Sequence, residues 1–265
     1  MQLEITVVDA FTHAVFGGNP AAVIITNEWL SLQLMQSIAA ENNLSETAFL
    51  VSVDAATYHI RWFSPLTEIA FCGHATLAAA SVIFDKAPEV IHIKFIAEAV
   101  GELLVERAES GAIKMDFPNT KPNKVEVIPE ALVAGLSILP VEVYCNSQAY
   151  FVIYDSQSHV LSVERDNEAL KQLAPRDVVV TCRSESKDYD FVSRYFWPAN
   201  GGDEDPVTGS IHTGLAPFWA ERIGKNALVA YQASKRGGVL NCLVSGDRVI
   251  LSGKAVRYLS GTITV

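Results

Sequence analysis

The alternation of apolar and polar residues along the chain gives way at two places to longer apolar runs. The first run extends from Ala75 to Phe84, with only Thr76 and Ser81 as polar members, and Gly73 precedes it. A helix that is apolar on every side is not a surface helix, because it has to be surrounded by other structure. The pattern therefore predicts a buried central helix that begins at Gly73.

A second segment repeats this arrangement. Each run follows a Phe-x-Pro sequence, acidic residues and a glycine, and the glycine of the second segment is Gly209. Two such segments indicate an internal duplication, with one buried helix in each half. Pro217 lies within the second apolar run and is expected to kink or end that helix, since proline has no N–H to donate.

The segments around both runs alternate with a period of two and are rich in β-branched residues, which predicts strands. An amphipathic surface helix is predicted over 31–42. The predicted strands cover 3–10, 21–26, 43–51, 58–63, 90–95, 101–106, 112–117, 141–144, 150–154, 178–182, 190–196, 227–233, 239–244, 248–252 and 261–265.

A sheet rolled around one buried helix is the natural packing for each half. We therefore predict an α+β protein of two similar domains, residues 1–117 and 118–265, each a strongly curved, mostly antiparallel sheet around a central helix. The polar, proline-bearing segment 118–123 is the predicted linker. A dinucleotide-binding fold is disfavoured, because no G-x-G-x-x-G follows the first strand.

Composition narrows the function. The 265 residues are 49% hydrophobic, and the 20 Lys and Arg against 30 Asp and Glu give a net charge of −10 without a basic cluster. This argues against nucleic acid or an anionic membrane as a partner. The first residues lack a basic signal-peptide region, and the four cysteines have no metal-binding spacing. We expect reduced thiols, a cytoplasmic protein and no metal.

The two predicted helix starts are candidate substrate-binding elements. Free N–H groups and the helix dipole make such an end suitable for a carboxylate. Gly73, Gly209 and Ser210 are therefore predicted to bind a substrate carboxylate. If the two ends face each other, the pocket lies in the cleft between the domains, where small-molecule sites are common.

Glu46 is the first candidate for the chemistry. A carboxylate between Leu44 and Phe49 is costly unless it is paired, exposed or used. Periodicity alone favours an exposed position on the polar face of a strand. The alternative is a buried proton shuttle.

His74 and Asp205 are the next candidates. His74 follows the helix start and could be a cap or an acid/base group; the positive helix end would lower the pKa of His74 and favour a neutral imidazole. Asp205 lies in a Gly- and acid-rich loop. Such loops are most often solvated turns, although Asp205 could instead bind a polar substrate group or pair with His74.

Three further residues each have an ordinary structural interpretation. Ser210 could be an N-cap, Asn19 a turn residue, and Cys72 a buried small hydrophobe. A helix N-terminus favours a thiolate, so Cys72 is also a possible alternative base. The other histidines have no metal spacing and are interpreted as structural.

Four motifs occur in order along the chain: VDAFT at 8–12 with GNPAAV at 18–23, LSETAF at 44–49, CGHATLA at 72–78 and EDPVTGS at 204–210. Together they resemble the PhzF-like (phenazine biosynthesis) family, which has the diaminopimelate-epimerase fold. The resemblance covers essentially the whole chain. It implies two like domains, often in a homodimer, and proton transfer without a cofactor.

The resemblance also implies site residues. The catalytic positions of the best-known member, an isomerase of a dihydro-hydroxyanthranilate, match Glu46, His74, Asp205 and Ser210. An asparagine near Asn19 contacts substrate in epimerase relatives. Racemase relatives carry a cysteine before each central helix, whereas this chain has Cys72 and Thr208.

Three functions follow as hypotheses. The first is an isomerase of a small carboxylate-bearing metabolite with Glu46 as general acid/base. The second is a dehydratase or epimerase of an amino or imino acid with Cys72 as base. The third is a metabolite-binding protein without catalysis.

Overall fold

The chain forms two compact units. The computed structural model describes residues 1–265, of which Met1–Asp116 and Ser252–Val265 form unit 1 and Phe117–Leu251 forms unit 2. The predicted division differs from this at the C-terminus. The last strand pairs with the first, from Gln2 opposite Thr264 to Ala10 opposite Ala255, and this ladder places it in unit 1.

Strands dominate both units. No helix has the length and apolar character needed to cross a bilayer. In chain order the elements are β1 (Gln2–Ala10), β2 (Asn19–Thr26), α1 (Leu32–Asn42), β3 (Glu46–Ser52), β4 (Thr57–Phe63), β5 (Glu68–Ile69), α2 (Gly73–Lys86), β6 (His92–Ala97), β7 (Gly101–Arg107), β8 (Ile113–Pro118), β9 (Asn123–Lys124), α3 (Glu130–Ala134), β10 (Glu142–Cys145), β11 (Ala149–Ile153), α4 (Gln157–Ser162), α5 (Asn167–Leu170), β12 (Asp177–Arg183), β13 (Phe191–Phe196), β14 (Glu204–Asp205), α6 (His212–Ile223), β15 (Ala227–Gln232), β16 (Gly238–Ser245), β17 (Arg248–Gly253) and β18 (Ala255–Thr264).

Unit 1 is a mixed sheet around one helix. Its strand order is β18-β1-β2-β3-β4-β6-β7-β8, in which the pairs β2–β3 and β4–β6 are parallel and the others antiparallel. Helix α2 packs on strands from both ends of this order, including β18 and β7. All residues of α2 from Gly73 to Ala80 are buried. The predicted central helix and its start at Gly73 are therefore confirmed.

Unit 2 repeats this strand pairing. Strands β10 to β16 pair in the same sequence of antiparallel and parallel contacts as β1 to β7, and α6 takes the place of α2 in the chain order. Helix α6 is buried from His212 to Ala220. The predicted α+β class with two similar, curved sheets around central helices is confirmed.

The second central helix differs in detail from its prediction. It begins at His212 rather than Gly209, because residues 209–211 form a tighter turn in which the N–H of His212 donates to the carbonyl of Gly209 at 3.0 Å. It also continues through Pro217. Proline leaves the carbonyl four residues earlier without its helical donor. That carbonyl, on Thr213, instead accepts from the N–H of Thr120 at 3.1 Å.

Gly18 fixes the backbone that presents Asn19, and its replacement tests this. Gly18 has a φ of +63°, and an added Cβ would overlap the carbonyl oxygen of Ala10. Gly101 is a matched control, because it has a φ of +78° with nothing within 4 Å of the same position. Left-handed strain alone costs about 1 kcal/mol. We expect Gly18→Ala to lower the free energy of unfolding in urea by about 1 kcal/mol more than Gly101→Ala. Equal losses would show that the overlap is relieved without cost.

Candidate active site

The N-terminus of α2 holds a buried carboxylate–imidazole pair. Glu46 is the first residue of β3, where it lies opposite Ala21 of β2, and His74 is the second residue of α2. Glu46 Oε2 lies 2.8 Å from His74 Nε2, and the two side chains are only 13% and 6% exposed. The alternative in which Glu46 points to solvent is therefore wrong.

Two more predicted residues contact the same imidazole. Asn19 Nδ2 lies 3.1 Å from His74 Nδ1, and Cys72 Sγ lies 3.4 Å from that nitrogen. The carbonyl of Cys72 is held in turn by Thr76, whose hydroxyl donates to it at 2.6 Å. The fold thus assembles Asn19, Glu46, Cys72 and His74 beside the N–H of Gly73, which as the first helical residue has no acceptor within the helix.

The cluster stabilises a positive charge on His74. Burial alone would disfavour the imidazolium, but the charge of Glu46 and the hydrogen-bonding contact with Cys72 outweigh burial and raise the pKa of His74 well above its ordinary value. The prediction of a lowered pKa was wrong, because it considered the helix end and not the carboxylate 2.8 Å away.

The charge of His74 decides which atom of the Asn19 amide faces its Nδ1. A neutral imidazole with its proton on Nε2 keeps Nδ1 as an acceptor, which matches the Asn19 Nδ2 contact at 3.1 Å. An imidazolium donates from both nitrogens. The cation therefore requires the amide to turn its oxygen toward Nδ1.

The thiol of Cys72 is not activated. Burial, and after it the charge of Glu46, raises the pKa of Cys72 to about 11. The expected preference for a thiolate at a helix end is wrong here, because desolvation exceeds the effect of the dipole. At neutral pH Cys72 is a thiol.

The same atoms form a set of potential metal ligands. Those of Glu46, Cys72 and His74 all lie within 4.8 Å of one another. A thiolate, an imidazole and a carboxylate are donors that Zn²⁺ accepts. The spacing of the four cysteines along the sequence gave no sign of this grouping, which the fold creates.

Unit 2 holds Asp205 in a hydrogen-bonded loop. The hydroxyl of Thr208 donates to Asp205 Oδ2. Gln232, which is fully buried, donates from Nε2 to the carbonyl of Asp205 at 2.8 Å and accepts at Oε1 from the N–H of Thr208 at 2.9 Å. The loop is therefore fixed by a side chain from β15 and is not a freely solvated turn.

Ser210 belongs to a second chain of hydrogen bonds. Gln148 Nε2 donates to Ser210 Oγ at 2.8 Å and to the hydroxyl of Tyr195 at 3.1 Å. The hydroxyl of Tyr195 donates to Asp177 Oδ2 at 2.7 Å. Ser210 does not cap α6, whose N-cap is Ile211 without a side-chain bond. The interpretation of Ser210 as an ordinary N-cap is wrong.

Sequence reasoning missed Asp177, Tyr195, Gln148 and Gln232. Asp177 had one available signal, because it precedes the apolar residues 178–180 as Glu46 precedes a strand. The register confirms this equivalence: Glu46 lies opposite Ala21, and Asp177 lies opposite Ala149, in the matching parallel pairs.

The register also aligns the two segments that lead into the central helices α2 and α6. Ile69 and Asp205 hold equivalent positions in β5 and β14. Cys72 and Thr208 each follow three residues later. The two halves thus place a thiol and a hydroxyl at matching positions.

Comparisons with known proteins identify the family. The model of the phenazine biosynthesis-like proteins (PhzC-PhzF) matches residues 8–261. The chain belongs to the PhzF family. An uncharacterized isomerase of Pseudomonas aeruginosa is 46% identical over 263 residues, which is 99% of both chains.

Solved structures agree with this membership. A PhzF-family crystal structure from Enterococcus faecalis superposes with a TM-score of 0.94 at 40% identity over 100% of both chains. A hydroxyproline epimerase from Agrobacterium vitis has a TM-score of 0.58 at 10% identity, with 99% of this chain and 92% of that one covered. The second likeness shows a shared fold with epimerases and nothing more.

Proposed function

We propose that this PhzF-family enzyme is a cofactor-independent isomerase of a small carboxylate-bearing metabolite, with Glu46 as its general acid/base. The observation that carries the proposal is the buried pair of Glu46 and His74 at the N-terminus of α2, with 2.8 Å between Oε2 and Nε2. A positioned carboxylate beside an imidazolium is suited to move one proton.

In the proposed reaction Glu46 takes a proton from an activated carbon, and the electron pair of that C–H bond moves into the conjugated system of the substrate. Glu46 then delivers a proton to a second carbon, so that the product is an isomer, and exchange of the Glu46 carboxyl proton with water brings solvent hydrogen into that position. His74 stabilises the negative charge that develops meanwhile. Gly73, Gly209 and Ser210 bind the carboxylate, Asn19 orients His74, and Asp205 accepts from an amino or hydroxyl group. The cleft expected from the sequence stays a prediction.

Proton exchange with solvent tests this function. The wild-type enzyme is incubated in D₂O with a panel of small aromatic and imino carboxylates, and each compound is followed by NMR for deuterium at carbon. We expect one class to gain deuterium at a single position as its isomer forms. Binding without exchange at any carbon in any compound would instead favour the non-catalytic binding protein.

A dehydratase or epimerase that uses Cys72 as base is the second candidate, favoured by the 3.4 Å contact between Cys72 Sγ and His74 Nδ1. The pKa of about 11 opposes this candidate. We therefore expect Cys72→Ser to retain exchange activity within about tenfold of wild type, since a neutral donor is kept. Activity abolished by Cys72→Ser and by thiol alkylation, with a folded protein by circular dichroism, would favour the thiol base.

We also propose that the protein is a cytosolic homodimer. Its four cysteines are all free, which suits a reducing compartment. Phe16, Tyr258 and Leu259 present exposed apolar side chains in unit 1. Light scattering after size-exclusion chromatography tests the dimer, which a monomer mass at micromolar concentration would contradict.

A further inference from the structure

Ser210 is connected to a buried carboxylate by two intervening side chains of unit 2. The order is Asp177, Tyr195, Gln148 and Ser210, with successive distances of 2.7, 3.1 and 2.8 Å. Asp177 and Tyr195 are 9% and 4% exposed. Nothing in the proposed proton transfer uses the first three residues.

The direction of each hydrogen bond follows from the chemistry of Asp177. Both oxygens of Asp177 accept, one from Tyr195 and the other from Asn200 Nδ2 at 2.8 Å. An ionised carboxylate only accepts, so the single hydroxyl hydrogen of Tyr195 is committed to it. Tyr195 can then interact with Gln148 only as an acceptor. This fixes the NH₂ group of the amide, rather than its oxygen, toward Tyr195.

The second hydrogen of that NH₂ group is donated to Ser210 Oγ, which lies 2.8 Å from Gln148 Nε2. Ser210 therefore accepts from Gln148, and its own hydroxyl hydrogen is directed elsewhere. A serine hydroxyl has one hydrogen to donate. A hydroxyl held in this way is ready to donate to an anion.

The backbone around Gln148 is itself held. The side chain of Asn146 accepts from the N–H groups of Gln148 and Ala149 at 2.9 and 3.0 Å. The carbonyl of Gln148 accepts from the N–H of Asp177 at 3.0 Å. Rotation of the amide would therefore have to occur at the side chain alone, against both of its donor contacts.

Duplication explains where the carboxylate comes from. Asp177 begins β12 as Glu46 begins β3, in equivalent parallel registers. In unit 1 the carboxylate contacts the imidazole of the central helix directly. In unit 2 it contacts Tyr195 of β13 and is connected to Ser210 only through Tyr195 and Gln148.

We propose that Asp177, Tyr195 and Gln148 are positioning residues that make Ser210 a dedicated hydrogen-bond donor to the substrate carboxylate. This inference rests on the proposed function, because it assigns one contact of that substrate. It predicts discrimination between a carboxylate and its neutral amide, which Ser210 would bind less strongly.

The hydrogen-bond order is tested first, in the full-length protein labelled with ¹⁵N-glutamine. We expect Ser210→Ala to shift one of the two Gln148 amide hydrogens and Tyr195→Phe to shift the other. A spectrum in which neither variant moves the Gln148 signals would overturn the network.

Recognition is tested by NMR titration with acetate and, as the neutral match, acetamide. In uniformly ¹⁵N-labelled protein, where the backbone amide of Ser210 can be followed in every variant, we expect saturable shifts of that amide in wild type with acetate only. Gln148→Met should weaken acetate binding about threefold, and Gln148→Glu at least about tenfold, because the new carboxylate claims the Ser210 hydrogen and repels the anion. Gln172→Glu is the control, since Gln172 is exposed on the same unit.

Equal acetate affinity in wild type and Gln148→Glu, or equal shifts with acetate and acetamide, would overturn the proposal. The two hypotheses fail separately. Solvent exchange in wild type with unchanged KM in Gln148→Glu would remove the positioning role and leave the isomerase. Acetate-specific shifts in a protein without any exchange activity would remove the isomerase and leave the positioning role.

Discussion

Glu46→Gln is expected to lower the rate of solvent-proton exchange by about 10²–10⁴-fold, the contribution typical of a positioned general base. The amide has almost the same shape, so packing at the start of β3 is preserved, but it cannot take a proton. The rate is followed as deuterium incorporation by NMR at saturating substrate.

The control is Glu68→Gln. Glu68 also forms a carboxylate contact in unit 1, to Arg61 Nε at 2.6 Å, but it is partly exposed and lies outside the cluster. We expect full activity from this variant. Full activity in Glu46→Gln would show that another group moves the proton.

Glu46→Gln should also change the pKa of His74. Without the carboxylate, the imidazolium loses a charge that raises its pKa, so we expect the pKa of His74 to fall in Glu46→Gln. The pH dependence of the His74 Hε1 signal measures this. An unchanged pKa would mean that Glu46 does not stabilise the cation.

Acid is expected to destabilise the fold through His212, the first residue of α6. Burial lowers the pKa of His212 to about 4, against an ordinary value of 6.5. Its Nδ1 lies 2.8 Å from the carbonyl of Thr208. Between these two pH values the unfolded chain binds a proton at this position and the native protein does not.

The sign and the size follow from this difference. Because the unfolded state binds more protons, the stability due to His212 is present above pH 6.5 and is lost as the pH falls toward 4. The full loss is roughly 3 kcal/mol, at 1.36 kcal/mol for each pH unit of separation. Urea unfolding at several pH values, followed by tryptophan fluorescence, measures it.

His212→Gln keeps a donor for Thr208 but does not titrate in this range. We expect the slope of unfolding free energy against pH to decrease by about one proton between pH 4 and 6.5 in this variant. His59→Gln, at an exposed position of β4, should leave the slope unchanged. A slope that survives in His212→Gln would assign the acid sensitivity to other groups.

The distinction between pattern and environment is clearest at Cys72. The sequence places this thiol at a helix start, where the dipole favours a thiolate, and that inference fails because the pKa is raised to about 11. Desolvation depends on what covers a side chain, and the groups recorded beside Cys72 include Glu46 of β3 and His74 of α2. The prediction of a lowered pKa for His74 also fails, because Glu46 is 28 residues away in the chain and 2.8 Å away in space.

The sequence alone determined the buried central helices and the duplication, and it singled out Asn19, Glu46, His74, Asp205 and Ser210 as candidate site residues. These depend on local periodicity and short motifs, which one stretch of chain contains in full. Tertiary structure decided the rest: the return of β18 to β1, the protonation of Cys72 and His74, and the connection of Asp177 to Ser210. Those features arise from segments brought together by strand pairing, and their energies are set by burial and by partners that no single stretch contains.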